Sequence, residues 1–151
     1  GGEPMLQQSK LLDVLRPLKQ DGYWVEIETN GTIAPTQEFS DLIDQINCSP
    51  KLASSGADNK LMMREKPEVL EALAKNDKVW FKFVVCNDTD LVEIISLVKR
   101  YEMKQVFLMP EGRTKEEQEQ RQEHVKSLAE ENGFEFSPRL HVLKWGTKRA
   151  V

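Results

Sequence analysis

Apolar residues recur along the chain at the i, i+3, i+4, i+7 spacing that marks one face of an α-helix. The three clearest stripes are Leu11, Leu12, Leu15 and Leu18, then Phe39, Leu42, Ile43 and Ile46, then Leu91, Ile94, Ile95 and Val98. A weaker stripe follows Pro67, a residue suited to a first helical turn. A fifth helix is predicted from Thr114, where Glu117 has capping-box spacing. Its first turns, residues 115–122, are wholly polar and are expected to form a solvated face.

Short runs rich in β-branched and aromatic residues lie between these helices, at residues 23–28, 45–49, 79–85, 105–109 and 134–142. Gly22 and Gly133 each precede an aromatic residue and are expected to end a helix in the left-handed conformation. Strict alternation of helix and strand predicts an α/β fold with a mainly parallel sheet covered by helices. We expect one domain over residues 1–151, with residues 53–59 as a surface loop.

Composition narrows the function classes. The chain has 30% charged residues, a formal net charge of −4 and a mean hydropathy of −0.53. No apolar run approaches the 18 residues of a membrane span, and no global basic field would attract nucleic acid, so neither a membrane nor a nucleic-acid partner is predicted. The two cysteines, Cys48 and Cys86, lie far apart, which favours a reducing compartment such as the cytoplasm over a disulfide framework.

Polar residues follow the predicted strands at their carboxyl ends, the edge where parallel α/β proteins place their sites. They are Glu28, Asn30 and Thr32, then Ser49 and Lys51, then Glu111, and finally His141. Structural alternatives remain: Asn30 with Gly31 is a common turn pair, Ser49 with Pro50 could end a strand, and Glu28 could be an edge carboxylate. Glu111 with Gly112 could be a loop that precedes the helix from Thr114. His141 could be a buried core histidine. Because all share one edge, we expect them to converge on one pocket together with Glu3.

Six short motifs are spread over the whole chain, and their order resembles that of a known protein family. They are GGEP at residues 1–4, ETNGT at 28–32, SPK at 49–51, FKFVV at 81–85, LMPEGRT at 108–114 and SPRLH at 137–141, followed by Trp145, Gly146, Lys148 and Arg149. In these motifs the chain resembles the 7-carboxy-7-deazaguanine synthase family of the radical S-adenosylmethionine superfamily.

The resemblance implies a partial (β/α)6 barrel and a magnesium-assisted ring contraction of 6-carboxy-5,6,7,8-tetrahydropterin to 7-carboxy-7-deazaguanine, started by a 5′-deoxyadenosyl radical. S-adenosylmethionine would be held by Gly2, Glu3, Glu28, Asn30, Ser49 and Lys51. The small-molecule pterin substrate would meet Thr32, Glu111, His141 and Val151. The complete enzyme would be a homodimer.

The chain departs from the family pattern at the metal centre. The C-x3-C-x2-C motif that binds the iron–sulfur cluster precedes GGEP in that family and is absent here. We therefore expect the four-iron four-sulfur (4Fe–4S) cluster, the Mg²⁺ ion and the first two strands only in a complete parent, with this chain as its inactive C-terminal two-thirds. Two alternatives stay open: a cluster-less module that binds S-adenosylmethionine or pterin, and an activase that makes a glycyl radical.

The C-terminal segment is expected to close the pocket. We predict that His141 points into the pocket from the final strand and that Trp145 packs on the rim, because its indole has a large apolar body to bury and an N–H to satisfy. Residues 146–151 would then fold across the substrate opening, and the terminal carboxylate of Val151 and the basic residues would help to hold the pterin.

Overall fold

The computed structural model describes residues 2–56, 60–146 and 148 of the chain. Its strands are β1 Glu26–Thr29, β2 Gln45–Cys48, β3 Val79–Val85, β4 Val106–Pro110 and β5 Glu135–Phe136. Its helices are α1 Gln8–Gln20, α2 Gln37–Asp41, α3 Leu61–Arg64, α4 Pro67–Ala74, α5 Asp88–Tyr101, α6 Lys115–Glu131 and α7 Leu140–Trp145, with short 3₁₀ turns at Pro4–Gln7 and Ala53–Ser55.

The strands form one sheet in the order β1-β2-β3-β4-β5, and every neighbouring pair is parallel. The predicted α/β class with a parallel sheet is therefore confirmed. Because the spatial order equals the chain order, each crossover advances in the same direction. Right-handed crossovers that all advance in one direction place their helices on one face of the sheet.

Burial along β3 shows which face the helices cover. Val79, Phe81, Phe83 and Val85 are at most 3% exposed, whereas the side chains between them are only partly buried. Burying a side chain of this kind contributes about 1.5–3 kcal/mol, so the helix-covered face is the core of the fold. The opposite face stays open, and there Trp80 of β3 stacks on Phe107 of β4 with ring centroids 5.0 Å apart.

No helix in the described part of the chain has the length and hydropathy needed to cross a bilayer.

The two predicted glycine caps are confirmed. Gly22 and Gly133 have φ of 80° and 70°. After them, the Tyr23 N–H donates to Leu18 O at 3.0 Å and the Phe134 N–H donates to Ala129 O at 2.9 Å. This bond across five residues is the Schellman arrangement, which turns the chain out of α1 and α6 and directly into the next strand.

Two predicted elements have the wrong extent. The helical stripe through Ile46 is wrong at its end, because α2 stops at Asp41 and Ile46 lies in β2, where it is fully buried. The strand predicted over residues 134–142 is also wrong beyond Phe136. Ser137 makes the last ladder bond, to Leu108 O at 2.9 Å, and Pro138 has no N–H with which to continue it.

The predicted surface loop at residues 53–59 is exposed where the structure describes it, over residues 53–56, and Ala53–Ser55 forms a 3₁₀ turn there. The short helix that follows, α3 at Leu61–Arg64, has no counterpart in the sequence prediction. The apolar residues of α3 are exposed while its last residue, Arg64, is buried. Sequence-based prediction expects apolar residues to be buried and charged residues to be exposed, and α3 has the opposite arrangement.

A carboxylate at the amino end of the sheet ties α1 to the first two strands. Asp44 accepts hydrogen bonds from Lys19 Nζ at 2.8 and 2.6 Å and from the Val25 N–H at 2.7 Å. The Lys19 ammonium, and then the Val25 N–H, lower the pKa of Asp44 below its ordinary value of 3.8. The charged form of Asp44 therefore stabilises this corner of the fold.

We expect Gly31→Ala to lower the free energy of unfolding by about 2–4 kcal/mol, measured by urea denaturation. Gly31 has φ of 75°, and a Cβ there would lie 2.8 Å from the buried Cys48 Sγ. Gly22→Ala is the matched control, since Gly22 has φ of 80° but nothing within 4 Å of its Cβ position, and should cost only about 1 kcal/mol. Equal losses in the two variants would contradict the packing argument.

Asp44→Asn should be less stable than the wild type at pH 7, and the gap should close as the pH falls below about 4. A folded-state pKa below the unfolded value means that the stabilisation is complete above the unfolded pKa and is lost as the pH falls through the folded pKa. Urea midpoints between pH 2.5 and 8 measure this. Asp77→Asn, which removes an exposed partner of Lys104, is the control and should shift the midpoint little at any pH. A gap for Asp44→Asn that is constant with pH would contradict this assignment.

Candidate functional site

A groove of about 1400 Å³ runs across the carboxyl ends of the strands, on the open face of the sheet. Its floor consists of alternate residues on or just after successive strands: Glu28 and Asn30, Asn47 and Ser49, Lys82 and Val84, Met109 and Glu111, and Ser137. Side chains of a strand alternate between faces, so the residues between them enter the core instead. The register agrees, since Asn47 pairs with Glu28 on one side and with Trp80 on the other.

Glu3 lies at one end of the groove, and its carboxylate accepts hydrogen bonds from neighbouring groups of the protein. Its Oε1 accepts hydrogen bonds from the Met5 N–H at 3.1 Å and from Thr29 Oγ1 at 2.8 Å, and its Oε2 accepts one from the Asn30 N–H at 2.8 Å. A carboxylate has about four acceptor positions. Three are used here, which leaves one for a donor that enters the groove.

The loop after β1 is shaped by its own polar side chains. Asn30 Oδ1 accepts from the Thr32 N–H at 3.0 Å and from Thr32 Oγ1 at 2.5 Å, an Asx-type turn. Asn30 Nδ2 makes no hydrogen bond to any residue that the structure describes and lies at the groove. The turn interpretation of Asn30 and Gly31 is therefore correct, and the same turn also presents a free amide donor to the groove.

The far wall is built by the loop after β4, which side chains of α6 hold in place. Gly112 O accepts from Gln118 Nε2 at 3.2 Å and from Arg139 Nη1 at 3.0 Å, while Arg121 pairs with Glu111 at 2.8 Å. Gln118 is 1% exposed, although it lies in the polar stretch predicted to be a solvated face, so that prediction is wrong at this position. The two donors to Gly112 O connect α6 to the segment that leads into α7.

The segment α7 supplies the remaining wall and corrects the prediction for its residues. His141 and Trp145 line the groove, but from a helix rather than from the final strand. His141 is exposed, so the core-histidine alternative is wrong, and Trp145 keeps 44% of its surface exposed. The expected cover by residues 146–151 falls mostly on residues 147 and 149–151, outside the described part of the chain.

Eight of the ten site residues predicted from the sequence line this one groove: Gly2, Glu3, Glu28, Asn30, Ser49, Lys51, Glu111 and His141. The expectation that Glu3, Asn30 and Ser49 share a pocket at the carboxyl rim is confirmed. Thr32 lies behind Asn30 and does not line the groove, and Val151 falls outside the described residues.

Lys82 and Asn47 are groove residues that the sequence reasoning missed. Both stand on the open side of apolar strands, Lys82 at the centre of β3 between Phe81 and Phe83. Period-two alternation would have identified them, because a lysine between buried phenylalanines must face away from the core.

Charge is distributed unevenly along the groove. Glu3 and Glu28 lie at the β1 end, whereas four basic residues and one acidic residue lie beyond them: Lys51, Lys82, Arg113, Arg139 and Glu111, the last of which is paired with Arg121. The ammonium groups of Lys51 and Lys82 make no hydrogen bond or ion pair with any described residue. A ligand with an amine at one end and a carboxylate further along would match this arrangement.

Neither cysteine lies in surroundings that favour metal binding. Burial raises the pKa of the Cys48 thiol, and burial is also the main reason that the pKa of Cys86 is raised. Metal binding requires the thiolate, which both environments disfavour. Among the residues that the structure describes, no group of three or more His, Cys, Asp or Glu side chains could hold a metal ion.

Comparison with known proteins gives one consistent name, although no protein-family model matches the chain. The chain is 34% identical to the 7-carboxy-7-deazaguanine synthase of Pyrobaculum aerophilum, over 99% of this chain and 64% of the relative. It is 38% identical to that of Halobacterium salinarum, over 96% of this chain and 63% of the relative. It is 32% identical to that of Bacillus subtilis, over 100% of this chain and 67% of the relative. The chain thus spans about two thirds of the length of these relatives, and it belongs to the 7-carboxy-7-deazaguanine synthase family.

Proposed function

We propose that this chain provides the S-adenosylmethionine site and one wall of the pterin site of a 7-carboxy-7-deazaguanine synthase acting in deazapurine biosynthesis. One observation carries the proposal. The residues that the family resemblance assigns to S-adenosylmethionine come from three separate segments of the chain, and all of them line one groove. That groove is polar where an amino acid would lie and more apolar where a ring would lie.

The polar half of the groove fits the methionine part of S-adenosylmethionine. The remaining acceptor position of the Glu3 carboxylate suits an ammonium group, and Gly2 beside it leaves open space, since a Cβ there would meet nothing within 4 Å. Ser49 Oγ and Lys51 Nζ have no partner among the described residues and suit the carboxylate. These residues would bind and orient the zwitterion.

The other half fits a flat, polar bicyclic ring. Val84 and Met109 form an apolar floor, and Trp145 stands at the wall. Glu111 and His141 supply hydrogen-bonding groups at the edge, as a pterin requires. In a complete enzyme, S-adenosylmethionine would supply the deoxyadenosyl radical that starts the ring contraction, while the residues of this chain hold the two molecules side by side.

We further propose that the sheet is part of a (β/α)6 barrel of the radical S-adenosylmethionine type. Two features support this: all crossovers advance in one direction, and the face opposite the helices is lined by polar and aromatic side chains. Both are typical of strands that curve around an enclosed interior. Cys48 and Cys86 do not fit a 4Fe–4S cluster, which is held by several cysteine thiolates.

We expect Lys51→Met to weaken S-adenosylmethionine binding by about 10-fold in titration calorimetry, because a charge-assisted contact to the carboxylate is worth about 1.5 kcal/mol. The variant should leave the affinity for 5′-methylthioadenosine, which lacks the amino-acid group, unchanged. Lys10→Met, at an exposed position on α1, is the control and should bind both ligands normally. An equal loss for both ligands would contradict the carboxylate assignment, and a wild-type chain that binds neither would contradict the site.

His141→Ala should weaken binding of 6-carboxy-5,6,7,8-tetrahydropterin by about 10-fold, the worth of one hydrogen bond to a polar ring, with S-adenosylmethionine affinity unchanged. His141 is exposed at the groove, so its removal should not alter the thermal midpoint. The chain has one other histidine, His124, which pairs with Asp88 away from the groove. His124→Ala should therefore bind the pterin normally. If the two histidine variants behave alike, the pterin side of the groove is assigned wrongly.

A further inference from the structure

A nearly buried ion pair lies behind the groove, between α3 and α5. Arg64 is 8% exposed, and its Nη1 contacts Glu93 Oε1, a side chain that is 23% exposed. Neither residue lines the groove. Any effect of this ion pair on a ligand in the groove must therefore pass through other residues.

Both members of this pair also bind the backbone of the loop that follows β2. Arg64 Nη1 donates to Lys51 O at 3.0 Å. Glu93 Oε2 accepts from the Ala53 N–H at 2.9 Å. On the other side of the loop, the Ser49 N–H donates to Thr29 O at 2.8 Å, which attaches the loop to β1. The backbone is thus held at Ser49, Lys51 and Ala53, and the side chains of Ser49 and Lys51 line the groove.

A gain in stability does not by itself explain why the fold contains this ion pair. Taking the Arg64 guanidinium out of water has a desolvation cost, and well-packed apolar residues often stabilise a fold as well or better. Apolar contacts, however, do not fix the direction of an interaction. A guanidinium and a carboxylate bonded to specific backbone atoms fix where those atoms lie.

We infer that Arg64 and Glu93 are positioning residues, which hold the loop of residues 49–53 so that Ser49 and Lys51 together meet the carboxylate of the amino-acid ligand. The inference rests on the proposed function for the identity of that ligand. It assigns the pair no contact with the ligand and no part in chemistry.

The chain offers a matched control pair between the same two segments. Arg100 Nη1 of α5 lies 2.6 Å from Oε1 of Glu65, the residue directly after α3, and Tyr101 OH donates to the same oxygen. This pair joins α5 to the α3 region as the first pair does. It makes no contact with the loop of residues 49–53 in the described structure.

The test compares Arg64→Met, Glu93→Gln and Arg100→Met in the full chain. Hydrogen–deuterium exchange of residues 49–55 is measured without ligand, and S-adenosylmethionine and 5′-methylthioadenosine affinities are measured by calorimetry. We expect Arg64→Met and Glu93→Gln to speed exchange of these residues at least 10-fold and to weaken S-adenosylmethionine about 10-fold. The affinity for 5′-methylthioadenosine should change less than 3-fold, and Arg100→Met should change none of these quantities.

A double-mutant cycle separates positioning from general stability. If Arg64 acts through the loop that carries Ser49 and Lys51, then the loss of S-adenosylmethionine affinity in Lys51→Met combined with Arg64→Met should be smaller than the sum of the two single losses. Independent, additive losses would overturn the inference, as would equal effects of Arg64→Met and Arg100→Met. Glu93→Gln keeps nearly the same shape and serves if Arg64→Met does not fold.

The two proposals fail in different ways. A wild-type chain that does not bind S-adenosylmethionine refutes the proposed function, whatever the variants do. Unchanged exchange of residues 49–55 in both Arg64→Met and Glu93→Gln refutes the positioning role, whether or not the ligand binds.

Discussion

The one-sided cover of the parallel sheet is the constraint on which the site depends. Since all crossovers advance in one direction, the helices bury one face, and every second strand residue must stay on the other. The same alternation that sends Phe81 and Phe83 into the core sends Lys82 towards the groove. Core and groove are therefore two consequences of one period-two pattern.

The loops around this floor are held by charged side chains bonded to backbone atoms. Glu3 binds the Asn30 N–H, Arg64 binds Lys51 O, and Arg139 binds Gly112 O. Each of these bonds joins segments that are distant in the sequence, and each lies where a strand ends and a loop begins. A charged partner makes a backbone hydrogen bond stronger and more directional, which suits loops that must present side chains to a small ligand.

Much of the site could be predicted because residue order and strand parity are local properties. Eight predicted residues share the groove, since parallel strands bring their carboxyl ends to one edge whatever the exact packing. The same reasoning could have identified Lys82. Sequence reasoning could not have identified Gln118 or Arg64, because Gln118 lies in a polar stretch and Arg64 follows three apolar residues that are themselves exposed. Their burial depends on the carbonyl and carboxylate groups that other segments bring to them.

The sequence by itself determined the α/β alternation, the glycine caps, the edge on which the polar residues gather and, through its motifs, the family. All of these depend on neighbours a few residues apart or on strand parity. Only the tertiary structure decided where β5 ends, that His141 lies on a helix, and which charges support the loops. The physical reason is that helix and strand are close in energy for short segments such as residues 137–145. The outcome there depends on bonds to remote groups such as Leu108 O and Gly112 O, which form only when the sheet and α6 are already in place.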